Sequence, residues 1–414
     1  MAQRVYPLQN YRVIDFGWVM AGPILGHLLA DMGAEVIKVE SRQRLDASRR
    51  GRPLVGADVA RGDQGEEPEL IPLFHNINRG KLGITVDIKH PEGIALVKEL
   101  VKYSDVVAEN YTPHVLREAG LDYECLRQVK PDLVMLSMSS VGQYGPLRDI
   151  STYASSLSSL AGMEGLVGYY GERVLGMMTT GYADPNAAVY GALAVLAALR
   201  YRNRTGRGQY IDMSQLEATV SLMGEAVMDY AMNRRVPGPT GNRHPTLAPH
   251  GNYPCRGGDK WVSIAVGSDE EWRGLCRALG EPPWAYDERF SDGFGRLRHR
   301  EELDHLISAW TVNLTHYEAT EALQREGVAA APVLNIEEQY FDKHFQERQT
   351  FVECHHPRVG METIYGIPWR LGGTPGEVRR HAPLLGEHNR YVFGELLGIP
   401  EPELARLMEQ KVIY

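Results

Sequence analysis

Cysteine is scarce in this chain. Four occur in 414 residues, at Cys125, Cys255, Cys276 and Cys354, far apart and without a CxxC spacing. That excludes a disulfide framework, offers no standard zinc-ligand set, and fits a reducing, cytoplasmic setting. Long apolar runs are also absent. No stretch approaches the ~20 residues that span a bilayer, and Met1-Ala2-Gln3-Arg4 opens no apolar signal segment. Positive charge is in deficit, with 44 Lys+Arg against 53 Asp+Glu and a net charge of −9. A nucleic-acid surface or an anionic-membrane binder needs the opposite balance, although a local basic pocket for a small anion is compatible with it. The remaining composition, 43% hydrophobic and 23% charged, is that of a soluble globular protein. Since domains run roughly 100–200 residues, the length implies two lobes.

The first part of the chain alternates β-branched runs with helical patterns. Val13–Phe16, Val36–Val39, Ile84–Asp87, Asp105–Ala108 and Leu133–Ser137 read as strands, and Pro23–Met32 and Pro91–Lys102 as helices. Such alternation predicts an α/β fold, a Rossmann-like large domain with a parallel sheet. Asp184-Pro185 opens an Ala/Leu-rich stretch to about Arg200, with Asp184 expected as N-cap and Pro185 as the first helical residue. Thr205-Gly206-Arg207-Gly208-Gln209 ends it, a strand at Tyr210–Met213 and a helix from Ser214 follow, and Pro237–Asn242 reads as a linker. Beyond lie a strand at Lys260–Val266, helices near Glu270–Leu279 and Arg300–Trp310, and a last helix near Pro402–Gln410. The expected division is 1–224 for the large domain, 225–335 for a smaller inserted α+β domain, and 336–414 for a segment returning to the large one.

Gly22-Pro23-Ile24-Leu25-Gly26, between a strand and a helix, invites a dinucleotide reading, with Glu40 where a ribose-binding acid belongs. The spacing disagrees. GxxxG is not GxGxxG, and Pro23 removes an amide a pyrophosphate would need. Tight strand–helix packing is the plainer account.

Taken in order, other segments carry a resemblance. Asp15-Phe16 with Ala21-Gly22-Pro23, the run Leu29 to Glu40, Asn78-Arg79-Gly80-Lys81, and Asp105-Val106-Val107 with Glu109-Asn110-Tyr111 belong to it. So do Gly142-Gln143-Tyr144-Gly145-Pro146, Asp184 with its Ala-rich helix, Arg202, Thr205 to Gln209, and the tail Ala382 to Asn389. Together they resemble the class III CoA-transferases, the family of formyl-CoA transferase, carnitine CoA-transferase and the α-methylacyl-CoA racemases. The resemblance implies a large domain built from both chain ends and a homodimer of interlocked rings, or a pairing with a related subunit. Its substrates would be an acyl-CoA and a small carboxylic acid, with no tightly bound cofactor and coenzyme A entering as substrate.

In that family an Asp at the place of Asp184 attacks the thioester, giving a mixed anhydride and then an aspartyl-CoA thioester. A carboxylate suits the exchange because nucleophile, leaving group and acceptor have similar basicity. The resemblance makes Val19, Met20 and Ala21 CoA contacts, and Arg42, Arg79, Lys81, Asn110 and Tyr111 candidates for the nucleotide, arginine being well shaped for phosphate. The family's Arg eight residues after the Asn falls on Glu118, so the adjacent Arg117 is the substitute, although one residue turns a helix by about 100°. Ser139, Ser140 and Gln143 take the place beside the acyl group, either as donors to the thioester carbonyl or as a plain loop after a strand. His244, or Arg243 beside it, is a candidate for the acceptor carboxylate, against the simpler reading of loop histidines at His244 and His250. Met177-Met178 reads as packing or as part of an acyl pocket.

Two absences discriminate. No His lies just before Ser151-Thr152-Tyr153-Ala154, where the racemases keep a second base and the nearest upstream here is His114, so racemisation with Asp184 as base becomes an alternative. Gly241-Asn242-Arg243-His244-Pro245 lacks the glycine run of formyl-CoA transferase. A catalytically silent CoA-binding subunit is the third reading. The leading expectation is a CoA-transferase, with succinyl-CoA as donor and a dicarboxylic acid as acceptor.

Overall fold

A computed structural model describes residues 5–50, 68–176 and 181–414. They form two compact units: 1–163, 179–227 and 343–414 make the larger, and 164–178 with 228–342 the smaller. The segment 164–178, assigned by sequence to the large domain, therefore packs with the smaller unit. There Gly241 N–H of the expected linker donates to Gly168 O at 3.0 Å.

The large unit holds six parallel strands, β1 (Arg12–Asp15), β2 (Glu35–Glu40), β3 (Leu82–Thr85), β4 (Val106–Glu109), β5 (Val134–Ser139) and β6 (Gln209–Ser214), in spatial order 3-2-1-4-5-6. The order reverses between β1 and β4, and a crevice opens there beyond the strand C-termini. Helices α1 (Ala21–Asp31), α2 (Pro72–Asn78), α3 (Pro91–Lys102), α4 (Val115–Glu118), α5 (Tyr123–Val129), α6 (Ala154–Ala161), α7 (Ala183–Thr205) and α8 (Gln215–Val220) connect and cover the strands. Alternation of side chains sends Ile14, Ile37, Ile84, Val107 and Met135 to one face, against α3, α5 and the C-terminal Val392, Phe393, Leu404 and Leu407. Val13, Val36, Val106 and Leu136 face the other way, against Leu25 and Leu29 of α1 and Ala188 and Val195 of α7. Burial on both faces explains why these strands read as continuous apolar runs.

The strand from Ile84 to Asp87 is shifted by two residues, to Leu82–Thr85, because Gly83 and Lys81 hide its start from a β-branched count. The long helix begins at Ala183. Tyr182 is already helical (φ −62°, ψ −31°), so Asp184 is the second helical residue and not the N-cap.

In the smaller unit, β7 (His250–Pro254), β8 (Trp261–Ala265) and β9 (Ala329–Pro332) form an antiparallel sheet. Capping boxes at Ser268/Glu271 and Thr315/Glu318 start the helices Asp269–Ala278 and His316–Arg325. A hairpin, β10 (Phe351–His356) with β11 (Gly360–Tyr365), belongs to the large unit.

Buried ion pairs sit under the C-terminal ends of the central strands. Lys81 Nζ donates to Asp15 Oδ2 at 2.7 Å, to Pro23 O and Asn78 Oδ1 at 2.9 Å, and is fully buried. Burial pushes its ammonium down to about 8. Removing one partner of such a pair strands the other. Asp15→Ala is expected to lower stability by about 3–5 kcal/mol in denaturant unfolding, and Asp15→Leu combined with Lys81→Met to recover much of that loss. A double variant no more stable than the single one contradicts this.

Candidate functional site

The loop from β1 into α1 is held from three sides. Lys38 Nζ donates to Gly17 O at 2.8 Å and to Asp46 Oδ2 at 2.9 Å. Asn110, just past β4, accepts from Trp18 N–H at 2.7 Å and donates its amide to Trp18 O at 3.0 Å. Val19 N–H donates to Asp46 Oδ1 at 3.0 Å, and Met20 N–H to Trp18 O at 2.9 Å. Val19 sits at φ +63°, an unfavourable region for a β-branched side chain that this network enforces. Because the amides of residues 18, 19 and 20 are all engaged, this loop offers side chains and not a phosphate-binding nest.

The two glycines of the GxxxG stretch serve packing. A Cβ on Gly22 would lie 2.7 Å from Asn110 Oδ1, and one on Gly26 2.5 Å from Asp15 Oδ2. Glu40 is not free for a ribose. Its carboxylate receives Arg49 Nε and Nη2, each at 2.8 Å, and that guanidinium lies 3.5 Å from the centre of the Phe74 ring.

Asp184 is partly buried, close to the loop from β1 into α1. A Cβ on Gly181 would lie 3.9 Å from Asp184 Oδ2 and 4.0 Å from Met20 Sδ, so the carboxylate and the Val19–Met20–Ala21 loop share one location. Ala183 packs with Ala154, Leu157, Val141 and Leu216, which brings the loop after β5 and the helices α6 and α8 to the same point. Gly191 is what lets α7 come so close: its Cβ would meet Leu25 at 2.9 Å and Leu136 at 3.2 Å. Burial raises the Asp184 carboxyl to about 6. Among the described residues no cation pairs with it, and its place in the first turn of α7 favours the charged form through the helix dipole. The neighbouring 177–180, with Met177-Met178, lie outside the described residues.

At the end of β5, Ser139 is buried and its hydroxyl has no partner, while Ser140 O accepts Leu216 N–H at 2.9 Å. Gln143 N–H donates to Asp212 Oδ1 at 2.9 Å, and its buried Nε2 is unpartnered. Both are donors without an acceptor, beside the Ala183 cluster. One buried acid escaped the sequence reading of roles. Glu109, closing β4, accepts Tyr111 N–H at 2.6 Å, and burial, with a smaller contribution from Asp212, pushes its carboxyl up to about 7.

A cleft of about 720 Å³ adjoins this site, lined by Phe16, Trp18, Arg44, Lys89, Tyr111 and Glu118 among others. Tyr111 lies against Trp18, with ring centres 6.1 Å apart, and burial raises its phenol. Four cations expected at a nucleotide are placed elsewhere. Arg79 is buried with Nη2 2.7 Å from Asp31 Oδ2, and Lys81 is taken by Asp15. Arg42 is exposed and outside the cleft lining. Arg117 is exposed and lies towards the Tyr210 phenol, which burial raises, whereas Glu118 lines the cleft, as the turn of a helix requires. His244 belongs to the smaller unit, its ring 5.3 Å from that of His250. Trp18, Arg44 and Lys89 were missed as site residues; only the tryptophan's position before Val19-Met20-Ala21 signalled it.

Among the described residues no three His, Cys, Asp or Glu are placed to hold a metal ion, and no helix is long and apolar enough to cross a membrane.

The class of protein is defined by comparison as well as by fold: CoA-transferase family III matches residues 8–389, and the chain belongs to that family. It is an enzyme of the class III CoA-transferase type. Among its relatives, the succinyl-CoA–D-citramalate CoA-transferase of Chloroflexus aurantiacus is 37% identical over 407 residues, covering 98% of each chain. The succinate–glutarate CoA-transferase of Agrobacterium fabrum is 36% identical over 397 residues, covering 96% of this chain and 97% of its own. A crystal structure of a CAIB/BAIF family protein from Brucella suis superposes with a TM-score of 0.83 at 30% identity, over 95% of this chain and all (100%) of that one.

The Glu109 carboxyl gives a pH test. Its folded value is raised above the unfolded one, so its ionisation opposes folding, increasingly as pH rises from about 4.5 to about 7. Glu109→Gln is expected to gain stability relative to the parent at pH 8 compared with pH 5, by at most about 3 kcal/mol, read from denaturant midpoints. An unchanged difference between the two pH values contradicts the raised carboxyl.

Proposed function

We propose that this enzyme moves CoA from an acyl-CoA, with succinyl-CoA as the donor, to a small dicarboxylic acid through covalent intermediates on Asp184. The observation that carries the reading is a partly buried carboxylate without a cation partner among the described residues, in the first turn of α7 beside Met20. The relatives named for succinyl-CoA, citramalate and glutarate support the choice of donor and acceptor class.

The steps balance without a free proton. An Asp184 carboxylate oxygen bonds to the thioester carbon, the C–S bond breaks, and CoA leaves as thiolate. The thiolate then attacks the Asp184 carbonyl of the anhydride, releasing the donor acid and leaving an aspartyl thioester. The acceptor carboxylate attacks that thioester, freeing thiolate again. Thiolate finally takes the acceptor's carbonyl, and Asp184 is regenerated. Partial burial serves this exchange by raising the basicity of the carboxylate while leaving it ionised above about pH 6. Ser139 Oγ and Gln143 Nε2, both donors without partners, would polarise the acyl oxygen.

The assembly proposed is a homodimer, or a pair with a related chain, in the cytoplasm. Support comes from the apolar outer face of α7, where Val189, Tyr190, Leu193 and Leu196 are exposed, and from relatives named as alpha and beta subunits.

Asp184→Ala is expected to abolish CoA exchange, by about a thousandfold or more, while CoA still binds. Hydroxylamine added with acyl-CoA should inactivate the parent by converting Asp184 to a hydroxamate, seen by peptide mass spectrometry. Undiminished exchange in the variant refutes the mechanism, and solvent deuterium at the substrate α-carbon would favour the racemase alternative. The exchange rate should also fall as pH drops through about 6, where the nucleophile takes up its proton; a flat profile down to pH 5 contradicts that assignment.

A further inference from the structure

The ladder between β5 and β6 pairs Val134 with Gln209 at one end and Ser139 with Ser214 at the other, and it stops there because β6 turns into α8 at Gln215. The start of α8 then grips the end of β5. Gln215 Nε2 donates to Met138 O at 3.0 Å, and Leu216 N–H to Ser140 O at 2.9 Å. Past Ser140 the chain leaves the ladder. Among the described residues, a single hydrogen bond ties residues 141–147 to another element, from Gln143 N–H to Asp212 Oδ1 at 2.9 Å. Asp212 itself forms no ion pair among the described residues, so its carboxylate serves that amide alone.

We infer that Asp212 is a positioning residue for Gln143: its carboxylate pins the loop after β5 so that the Gln143 side-chain amide is held at the reacting acyl group. This rests on the reading of Gln143 as a donor to the acyl oxygen.

Gly142 makes the approach possible. It sits at φ +90°, and a Cβ there would lie 3.6 Å from Ser214 Cβ and 3.8 Å from Asp212 Oδ1, so the chain turns closely over β6. An ionised acceptor makes a stronger bond to an amide than a neutral carbonyl does. Strength matters in a stretch with one tether, because a group displaced by about 1 Å forfeits much of its effect on a reaction.

The surroundings complement this role. Ser139 Oγ, Gln143 Nε2 and Gln215 Oε1 are buried without partners, whereas the main-chain groups of Met138, Ser140 and Gln143 are engaged. Residues 212–216 therefore consume backbone groups and leave polar side chains for a ligand. Val141 and Leu216 both pack with Ala183, which sets this frame beside the first turn of α7. A rival role exists for Asp212, since an exposed acid on an edge strand also discourages pairing with other chains. That role needs charge and has no link to Gln143.

The test follows exchange of isotope-labelled succinate into succinyl-CoA by the full chain. Asp212→Ala is expected to lower kcat about tenfold while KM for succinyl-CoA stays within about twofold. Asp212→Asn, which keeps an oxygen acceptor in place, should recover most of that loss, and Asp212→Glu, which keeps the charge but moves it by a methylene, should recover less. A double-mutant cycle gives the sharpest reading: Gln143→Ala should cost a similar factor, and adding Asp212→Ala to it less than about twofold more. Losses that multiply in the double variant, parental activity in either alanine variant, or Asp212→Glu outperforming Asp212→Asn overturn the inference. The Asp184 chemistry is read separately, from the hydroxamate on its peptide, so either reading can fail while the other stands.

Discussion

The architecture of this enzyme depends on a layer of buried charge beneath one loop. Lys38, Lys81 and Asp15, with Asp46 and the amide of Asn110, hold the turn between β1 and α1 in a conformation that Val19 would not adopt freely. Each charge would be costly alone, and each is matched by an acid or a carbonyl at hydrogen-bond distance. Spending these cations inside the fold has a consequence at the surface. The loop becomes a rigid shelf of side chains, with the amides of residues 18, 19 and 20 turned to partners inside the protein.

The second constraint is topological. A six-stranded parallel sheet in the order 3-2-1-4-5-6 places the C-terminal ends of β1, β4 and β5 around one crevice, and α7, returning antiparallel to the strands, delivers its N-terminal turn to it. Gly191 permits the close approach of α7 to α1, and Gly22 that of α1 to Gly17 and Asn110, with Met20 and Asp184 then near one another. The cleft and Asp184 are thereby joined along three consecutive residues, Trp18, Val19 and Met20.

Much of this was legible from the sequence. Strand and helix alternation gave the parallel sheet, and the helix Pro91–Lys102 falls on the residues that the pattern indicates. The GxxxG spacing reads as close packing, and Gly22 and Gly26 do lie tightly against Asn110 and Asp15, while the ordered motifs pointed to the family. What was not legible is where side chains are already engaged. Arg79 and Lys81 look like free cations in a list of letters, and only the fold, which sets α1 and the end of β1 beside residues 79–81, shows Asp31 and Asp15 next to them. Nor does a linear reading reveal that segment 164–178 leaves the large unit, because that is decided by contacts with residues some seventy positions away, around Pro239 and Gly241. The start of α7 was misjudged by two residues, since Tyr182 adopts helical angles without any capping signal.

The central claim is that an oxygen of Asp184 is exchanged with the reacting acids. Turnover with an acceptor dicarboxylate labelled with oxygen-18, followed by peptide mass spectrometry, tests it directly. The account predicts that the peptide containing Asp184 gains one heavy oxygen in a single turnover and up to two over many, because each cycle passes one aspartate oxygen to the donor acid and leaves one acceptor oxygen in its place. Full turnover with that peptide unlabelled would contradict it.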